Sequence, residues 1–362
     1  MNVKKIFRNT FLLGISQFFN KLILFVLTIF VARYLKESGF GQYSLVLTIV
    51  GFFTIFTNFG LGTIALREIS KNYSEANKYF NNIFFLRVTT GVLSFLFLYV
   101  VVKLLGYKHN IVVASCIYGL TLFTNNIIDL LTSIFNAFEK MEYMAILTVF
   151  LSLITLLMAV FALKFGYGLI GLVTVSVVAG VLVVILGLGL AKKRVFISIR
   201  ELDFNFCKNI IKDSVPLMLL GFIGMVYFRM DIVLLSKMKG DSVVGLYNAA
   251  YKIMDTFMIV SNSIIGATFP QMSRYFHTST EKFKKLFEKL LIILFLVGAF
   301  FAVSVFLLSE RIIVLFFGTT FTDSIFALKI LIWAVPIIYI NAVLLFTLIA
   351  ANQQSKIIVL VL

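Results

Sequence analysis

Charged side chains stand inside long apolar stretches of this chain, and they are the residues with chemistry to offer. Lys21, Arg229 and Lys252 are cations in such stretches; Asp129 and Asp255 are acids. A charge at a bilayer centre costs roughly 2.5–3.5 kcal/mol on insertion scales, so such groups face partners or water. Their neighbours fall on helical faces. Thr121, Asn125, Asp129, Thr132 and Asn136 step by 3 or 4 residues, as do Gln17 and Lys21, with Thr28 on the same face. Asn248, Lys252, Asp255, Asn262 and Gly266 share another face, and Ser44, Thr48, Gly51, Asn58 and Gly62 a third. Lysine and arginine on a water-filled face suit an anionic ligand, arginine bidentately. The polar amides would complete the site. Asp129 and Asp255 are the groups able to couple to H⁺ or Na⁺. Each also has a structural alternative. Lys252 and Asp255, three residues apart, can neutralise each other, and Asp129 can pair with a cation rather than titrate. Asp231 lies round the helix from Arg229 and suits packing between helices, and Lys329 lies near a helix end where it can snorkel.

The chain that must position these groups has 362 residues, is 61% hydrophobic and only 13% charged. That excludes a soluble globular domain and a disordered chain. Its two cysteines, Cys116 and Cys207, lie in unlike surroundings and make no disulfide framework. His109 and His277 are far apart in sequence and in loops, so no metal site and no cofactor is expected. The prediction is an all-α polytopic membrane protein.

A crossing helix needs about 20 apolar residues. Ten such runs are present: Phe11–Ala32, Tyr43–Ala65, Ile83–Val102, Ile111–Phe135, Ala145–Leu163, Leu169–Ala191, Val215–Leu235, Val243–Phe269, Leu286–Leu308 and Ile325–Ala351. The first is too long for a cleaved signal, is interrupted by Lys21 and lacks a cleavage site, so it is expected as a retained span. With the N-terminus in the cytoplasm, inner segments carry 20 Lys and Arg, among them Arg67, Lys71, Lys78 and Arg87, and outer segments 8. This bias predicts a cytoplasmic N-terminus in a plasma membrane. It assigns most of the net charge of +16 to topology and anionic lipid rather than nucleic acid.

The chain also repeats itself at a shift of 204. Asn9 and Thr10 meet Asp213 and Ser214, all residue types that cap helix starts, with Pro216 expected in a first turn. Arg33 meets Lys237; Ser38, Gly41 and Tyr43 meet Ser242, Gly245 and Tyr247; Phe53, Asn58 and Gly62 meet Phe257, Asn262 and Gly266. Gly41 and Gly245 read as turn residues before an interfacial tyrosine. Lys21 falls at Met225, one turn from Arg229 on the same face, so two halves packed about an axis would let both cations line one cavity. Six spans per repeat put both halves in one orientation, a parallel repeat. The expected lobes are 1–200, with spans one to six, and 201–362, with spans seven to ten. An eleventh run opens after Lys356 and has only six residues, so the second lobe is expected to be incomplete by about 40 residues. Gly180, Gly187 and Gly189 would allow close helix packing.

Asn9-Thr10-Phe11, Phe30-Val31-Ala32-Arg33-Tyr34-Leu35, Gly39-Phe40-Gly41-Gln42-Tyr43 and Asn58-Phe59-Gly60-Leu61-Gly62 follow one another in order. With Arg229-Met230-Asp231 and Val244-Gly245-Leu246-Tyr247-Asn248-Ala249-Ala250-Tyr251-Lys252, they resemble the polysaccharide transporter family. These are the Wzx-type O-antigen and oligosaccharide flippases of the MATE-like multidrug/oligosaccharidyl-lipid/polysaccharide exporter superfamily. The resemblance implies two six-helix lobes. It also implies a lipid-linked oligosaccharide, carried on a polyprenyl (di)phosphate, flipped across the cytoplasmic membrane by alternating access for surface polysaccharide biosynthesis. Polysaccharide polymerase and glycosyltransferases would be partners. The rivals are a multidrug or metabolite exporter and a lipid II flippase of the same superfamily. A membrane enzyme is not expected, because the outer loops are short and no nucleophile–base pair stands out.

Overall fold

A computed structural model describes residues 3–192, 195 and 202–351. The described residues are helical almost throughout, in twelve α-helices: α1 Val3–Asn58, α2 Leu61–Lys71, α3 Ala76–Leu104, α4 His109–Gly119, α5 Thr121–Ala137, α6 Met141–Lys164, α7 Gly168–Ala191, α8 Phe204–Lys239, α9 Asp241–Thr278, α10 Thr280–Phe316, α11 Ser324–Leu331 and α12 Ala334–Ala350. Among the described residues, seven helical stretches are long and apolar enough to cross a membrane, the first being Leu12–Lys71, which merges two of the expected runs. The run expected after Lys356 lies outside the described residues, as do the side chains of Asn9, Thr10, Asp213 and Pro216.

Packing divides the chain into two compact units, Met1–Asp241 and Ser242–Leu362. In the first, α1 packs on α6 and α8, α5 on α2, α3 and α7, and α8 also touches α2 and α3. A large apolar core at one end joins Leu61, Ile64 and Ile69 of α2 to Phe80 and Ile83 of α3, Leu131, Ile134 and Phe135 of α5 and Leu147 of α6. Inside a bilayer such helices gain little from leaving lipid, so close packing matters more. At Gly180 a Cβ would lie 2.5 Å from Thr124 Oγ1, and at Gly187 2.8 Å from Leu131 Cδ1, so α7 meets α5 at both positions; Gly189 meets nothing within 4 Å. In the second unit α10 packs on α12 and α11. Gly298 admits the Pro336 backbone at 2.8 Å from where its Cβ would be, and the buried Tyr339 hydroxyl donates to the Phe257 carbonyl at 2.5 Å.

The backbone carries the repeat. Helix α1 is broken at Lys36 (φ 57°, ψ −170°), and α8 gives way to α9 at Gly240 (φ 84°, ψ −178°). These positions are 204 apart and share one conformation. Likewise α3 begins at Ala76 and α10 at Thr280. The turns expected at Gly41 and Gly245 fall instead at Lys36 and Gly240, and both expected glycines lie within helix.

The helix starts expected at Asn9–Thr10 and Asp213–Ser214 also need correction. Helix α1 begins at Val3. Helix α8 begins at Phe204, where the Asp203 carboxylate caps it by accepting from Phe206 N at 3.0 Å. Ser214 and position 216 lie well inside α8. The apolar run marks where a helix meets hydrocarbon, whereas the cap marks where it meets water. A 37-residue helix such as α10 is about 55 Å long against a core of about 30 Å, so the two boundaries separate. His109 opens α4 and position 277 falls in α9, so neither is in a loop.

Candidate functional site

The site forms where the second expected span breaks. Helix α1 ends at Asn58, Phe59 takes φ 48° and Gly60 φ 70°, and α2 starts at Leu61. A glycine accepts the left-handed region readily, and a phenylalanine does so only at a cost that its surroundings must cover. Backbone bonds close the turn, with Phe59 N donating to Ile55 O at 3.1 Å and Thr63 N to Gly60 O at 3.0 Å.

Arg87 of α3 reaches into this break and is 1% exposed. One guanidinium nitrogen donates to Asn58 Oδ1 at 3.1 Å, and another donates to the Asn126 carbonyl of α5. Asp129, one turn beyond Asn126, is the opposite charge acting on Arg87. At Gly62 a Cβ would sit 2.6 Å from Ser133 Oγ and 3.2 Å from an Arg87 terminal nitrogen. No larger residue fits without displacement, and Gly62 is what lets α2, α3 and α5 meet there. Arg87 Nε and Asn126 Nδ2 are both buried without a hydrogen-bond partner. Two donors beside a fixed positive charge present a place for an acceptor.

Of the residues expected from sequence, Asn58 bonds Arg87 directly, and Asp129 acts on the same arginine through its charge. In the structure Arg87 is a cation buried among helices. Its signal was present, because it stands inside the apolar run Ile83–Val102, as Lys21 does in its own run. Asn125 is half-buried on the same helix, and Asp129 is exposed.

Lys21 and Gln17 are exposed on the first arm of α1. Helix α8 packs on the second arm: Met225 meets Gly51, with the glycine's Cβ position 2.7 Å from Met225 Cε, and Phe222 lies 5.6 Å from Phe56. Arg229, one turn further on, is half-buried. Asp231 accepts from Ile232 N at 2.8 Å. In the second unit Asn248 is buried, Lys252 and Asp255 are half-buried and Asn262 is exposed, all on α9.

Both ends of the first unit are tied by polar contacts. At one, Asp203 N donates to Asn82 Oδ1 at 2.8 Å and the Cys207 thiol to the same oxygen at 3.3 Å. Burial, and then Asp203, push that thiol above its ordinary range, so it is a packing group rather than a nucleophile. At the other, Lys237 Nζ lies 3.7 Å from the Tyr107 ring centre and donates to Leu105 O. The Tyr107 and Ser236 hydroxyls are 2.9 Å apart. Asp241 accepts from Gln42 Nε2 at 3.0 Å and lies 3.8 Å from Lys108 Nζ.

A family model described as polysaccharide biosynthesis protein matches residues 6–276. A probable low-salt glycan biosynthesis flippase, Agl15 of Haloferax volcanii, is 27% identical over 162 residues, 43% of this chain and 33% of that protein. The matched stretch thus spans about a third of that relative's length. Among solved structures, an inward-facing multidrug resistance MATE-family transporter of the MOP superfamily aligns with TM-score 0.79 at 15% identity, covering 94% of this chain and 83% of that one. A MOP-superfamily transporter from Pyrococcus furiosus with a binding pocket of reverse polarity aligns with TM-score 0.68 at 16% identity, covering 99% and 84%. The chain is a multi-pass membrane protein with the fold of MATE-family transporters, and it belongs to the polysaccharide biosynthesis protein family.

Proposed function

We propose that this protein is a flippase that moves a polyprenyl-(di)phosphate-linked oligosaccharide from the cytoplasmic to the outer leaflet of the plasma membrane, for surface polysaccharide biosynthesis. The family match over residues 6–276 carries the reading. The residue chemistry supports it. Lys21, Arg229 and Lys252 give cations for a phosphate, and Gln17, Asn58, Asn125, Asn248 and Asn262 give donors and acceptors for sugar. The lipid tail stays in the bilayer. The lobes are 1–200 and 201–362, the N-terminus is cytoplasmic, and transport proceeds by alternating access driven by H⁺ or Na⁺ at Asp129 or Asp255. Glycosyltransferases and a polysaccharide polymerase act before and after it.

The test is surface glycan in a strain whose own flippase is deleted. The Lys21→Ala, Arg229→Ala double variant should express at the normal level and lose the glycan. Normal glycan from that variant would overturn the assignment of the two cations. A second reading, multidrug export, is favoured by the fold it shares with multidrug MATE transporters. Cationic drugs need an acidic site, so uptake and efflux of a cationic dye separates the two.

A further inference from the structure

Arg87 has more donors than partners. Its guanidinium offers five N–H groups; two are seen in hydrogen bonds, to Asn58 Oδ1 and Asn126 O. Its Nε is buried with nothing to bond, and so is Asn126 Nδ2. A charged group left this way in a buried core is expensive unless an acceptor reaches it in another state. One acceptor stands within a helical turn of Asn126. Asp129 is exposed in this structure and is nonetheless the charge that acts on Arg87, as Arg87 is the charge that acts on it. Among the described residues, Arg87 is the one charge that acts on Asp129. Arg67, Glu68 and Lys71 of α2 form an exposed cluster of their own, Lys140 and Glu142 pair at the start of α6, and α7 carries no charged residue from Gly168 to Ala191. Lys21 of α1 is exposed.

We infer that Arg87 is the fixed charge of a proton switch whose titrating member is Asp129, and that the switch controls the helix break at Asn58–Leu61. When Asp129 holds a proton it has no charge to draw it toward Arg87 and faces outward, and Arg87 is shared between the break and α5. When Asp129 loses the proton, its carboxylate turns in to accept from Arg87 Nε and Asn126 Nδ2. The guanidinium then shifts toward α5 and its bond to Asn58 lengthens. The break is released where Gly62 packs on Ser133. This rests on the transport reading above for its purpose: it chooses H⁺ as the coupling ion and Asp129 over Asp255 as its carrier. Arg87 acts through Asp129 and is a positioning residue.

The experiment needs no glycan, so its outcome is separate from that of the flippase reading. In the full chain, with Cys116 and Cys207 replaced by Ser, a Ser133→Cys variant is labelled with a membrane-permeant maleimide between pH 5 and 9. Rates are divided by those of the same cysteine in an Asp129→Asn background, which removes the thiol's own titration. The expected ratio follows a one-proton curve, near one at low pH and rising at high pH, by roughly tenfold if the released state goes from minor to dominant. Asn58→Ala should label fast at every pH, because the break has lost its hold. Arg87→Leu should remove the pH dependence. Where Ser133→Cys does not elute as a single species, Thr132→Cys on the same turn replaces it. A ratio flat at one across the range would overturn the inference, as would a curve that survives Arg87→Leu. Normal labelling curves in a chain that moves no glycan would uphold the switch and overturn the flippase.

Discussion

The two repeats answer one backbone problem in opposite ways. In the first, the helix that follows Lys36 stops at Asn58, turns through Phe59 and Gly60, and resumes as α2. In the second, the helix that follows Gly240 runs from Asp241 to Thr278 without a stop, and passes Pro270 on the way. At the shift of 204, Phe59 and Gly60 become Ser263 and Ile264, Arg87 becomes Leu291, Asn126 becomes Ile330 and Asp129 becomes Trp333. Ile264 is β-branched and would be a severe outlier at Gly60's φ of 70°, so that helix has reason to continue. The glycine at Gly60 permits the break. Arg87 then bonds the Asn58 side chain at the break, and the Asn126 carbonyl holds the arginine to α5. Where the arginine is leucine, the counterparts of Asn126 and Asp129 are apolar as well, and Asn262, the counterpart of Asn58, stands exposed. The difference teaches that the break is a concerted feature, in which loss of one member leaves the others uncompensated.

The largest effect should follow from removing the member with no substitute. Arg87→Ala strips the donor from Asn58 and Asn126, leaves Asp129 without its opposite charge and opens a void in the core. A cost of about 2–5 kcal/mol is expected, the range for truncating a long buried side chain to alanine. It is read as a fall in the melting temperature of the purified chain, with most of the protein lost to aggregation. Copying the second repeat further should then repair part of the damage. Arg87→Leu with Asp129→Asn should be more stable than the two single losses added together, by a coupling of about 0.5–3 kcal/mol. Strict additivity would show that Arg87 and Asp129 do not act on each other and would dissolve the comparison.

Gly62→Ala comes next. Its Cβ would meet Ser133 Oγ at 2.6 Å and an Arg87 nitrogen at 3.2 Å. The serine can rotate, but the guanidinium is held at two points, so overpacking of about 1–3 kcal/mol is expected. A melting temperature unchanged by this substitution would mean that the three helices do not meet as tightly as described.

Much of this was legible in the sequence, and where it was not the reason is physical. The repeat at 204 foretold breaks at matching positions, and they occur at Lys36 and Gly240. It placed them wrongly, at Gly41 and Gly245, because a glycine beside a tyrosine looks more like a turn than a lysine does. Asn58, Gly62 and Asp129 stood out as polar groups on apolar faces. Arg87 did not, because Lys78 and the neighbouring cations made it look like one more positive charge at the inner surface. Helical periodicity says which face a residue occupies; it does not say that a side chain from α3 will span to two other helices. Nor could it reveal Asn126, whose contribution is a main-chain carbonyl.

The smallest effect tests the same comparison from the quiet side. Gly266 is the counterpart of Gly62, and both read as one small residue kept in register by the repeat. Their surroundings differ completely. No atom lies within 4 Å of where a Gly266 Cβ would be, and the residue is exposed within an unbroken helix. In such a place glycine only loses backbone entropy, and alanine is the better helix former by up to about 1 kcal/mol. Gly266→Ala should therefore raise the melting temperature slightly, while Gly62→Ala lowers it. Opposite signs from one chemical change at equivalent positions would show that the first repeat's glycine serves the arginine-filled break. A fall in stability at Gly266 would instead mean that this face of α9 is covered by something the described residues do not supply, and that the two glycines are kept for the same reason after all.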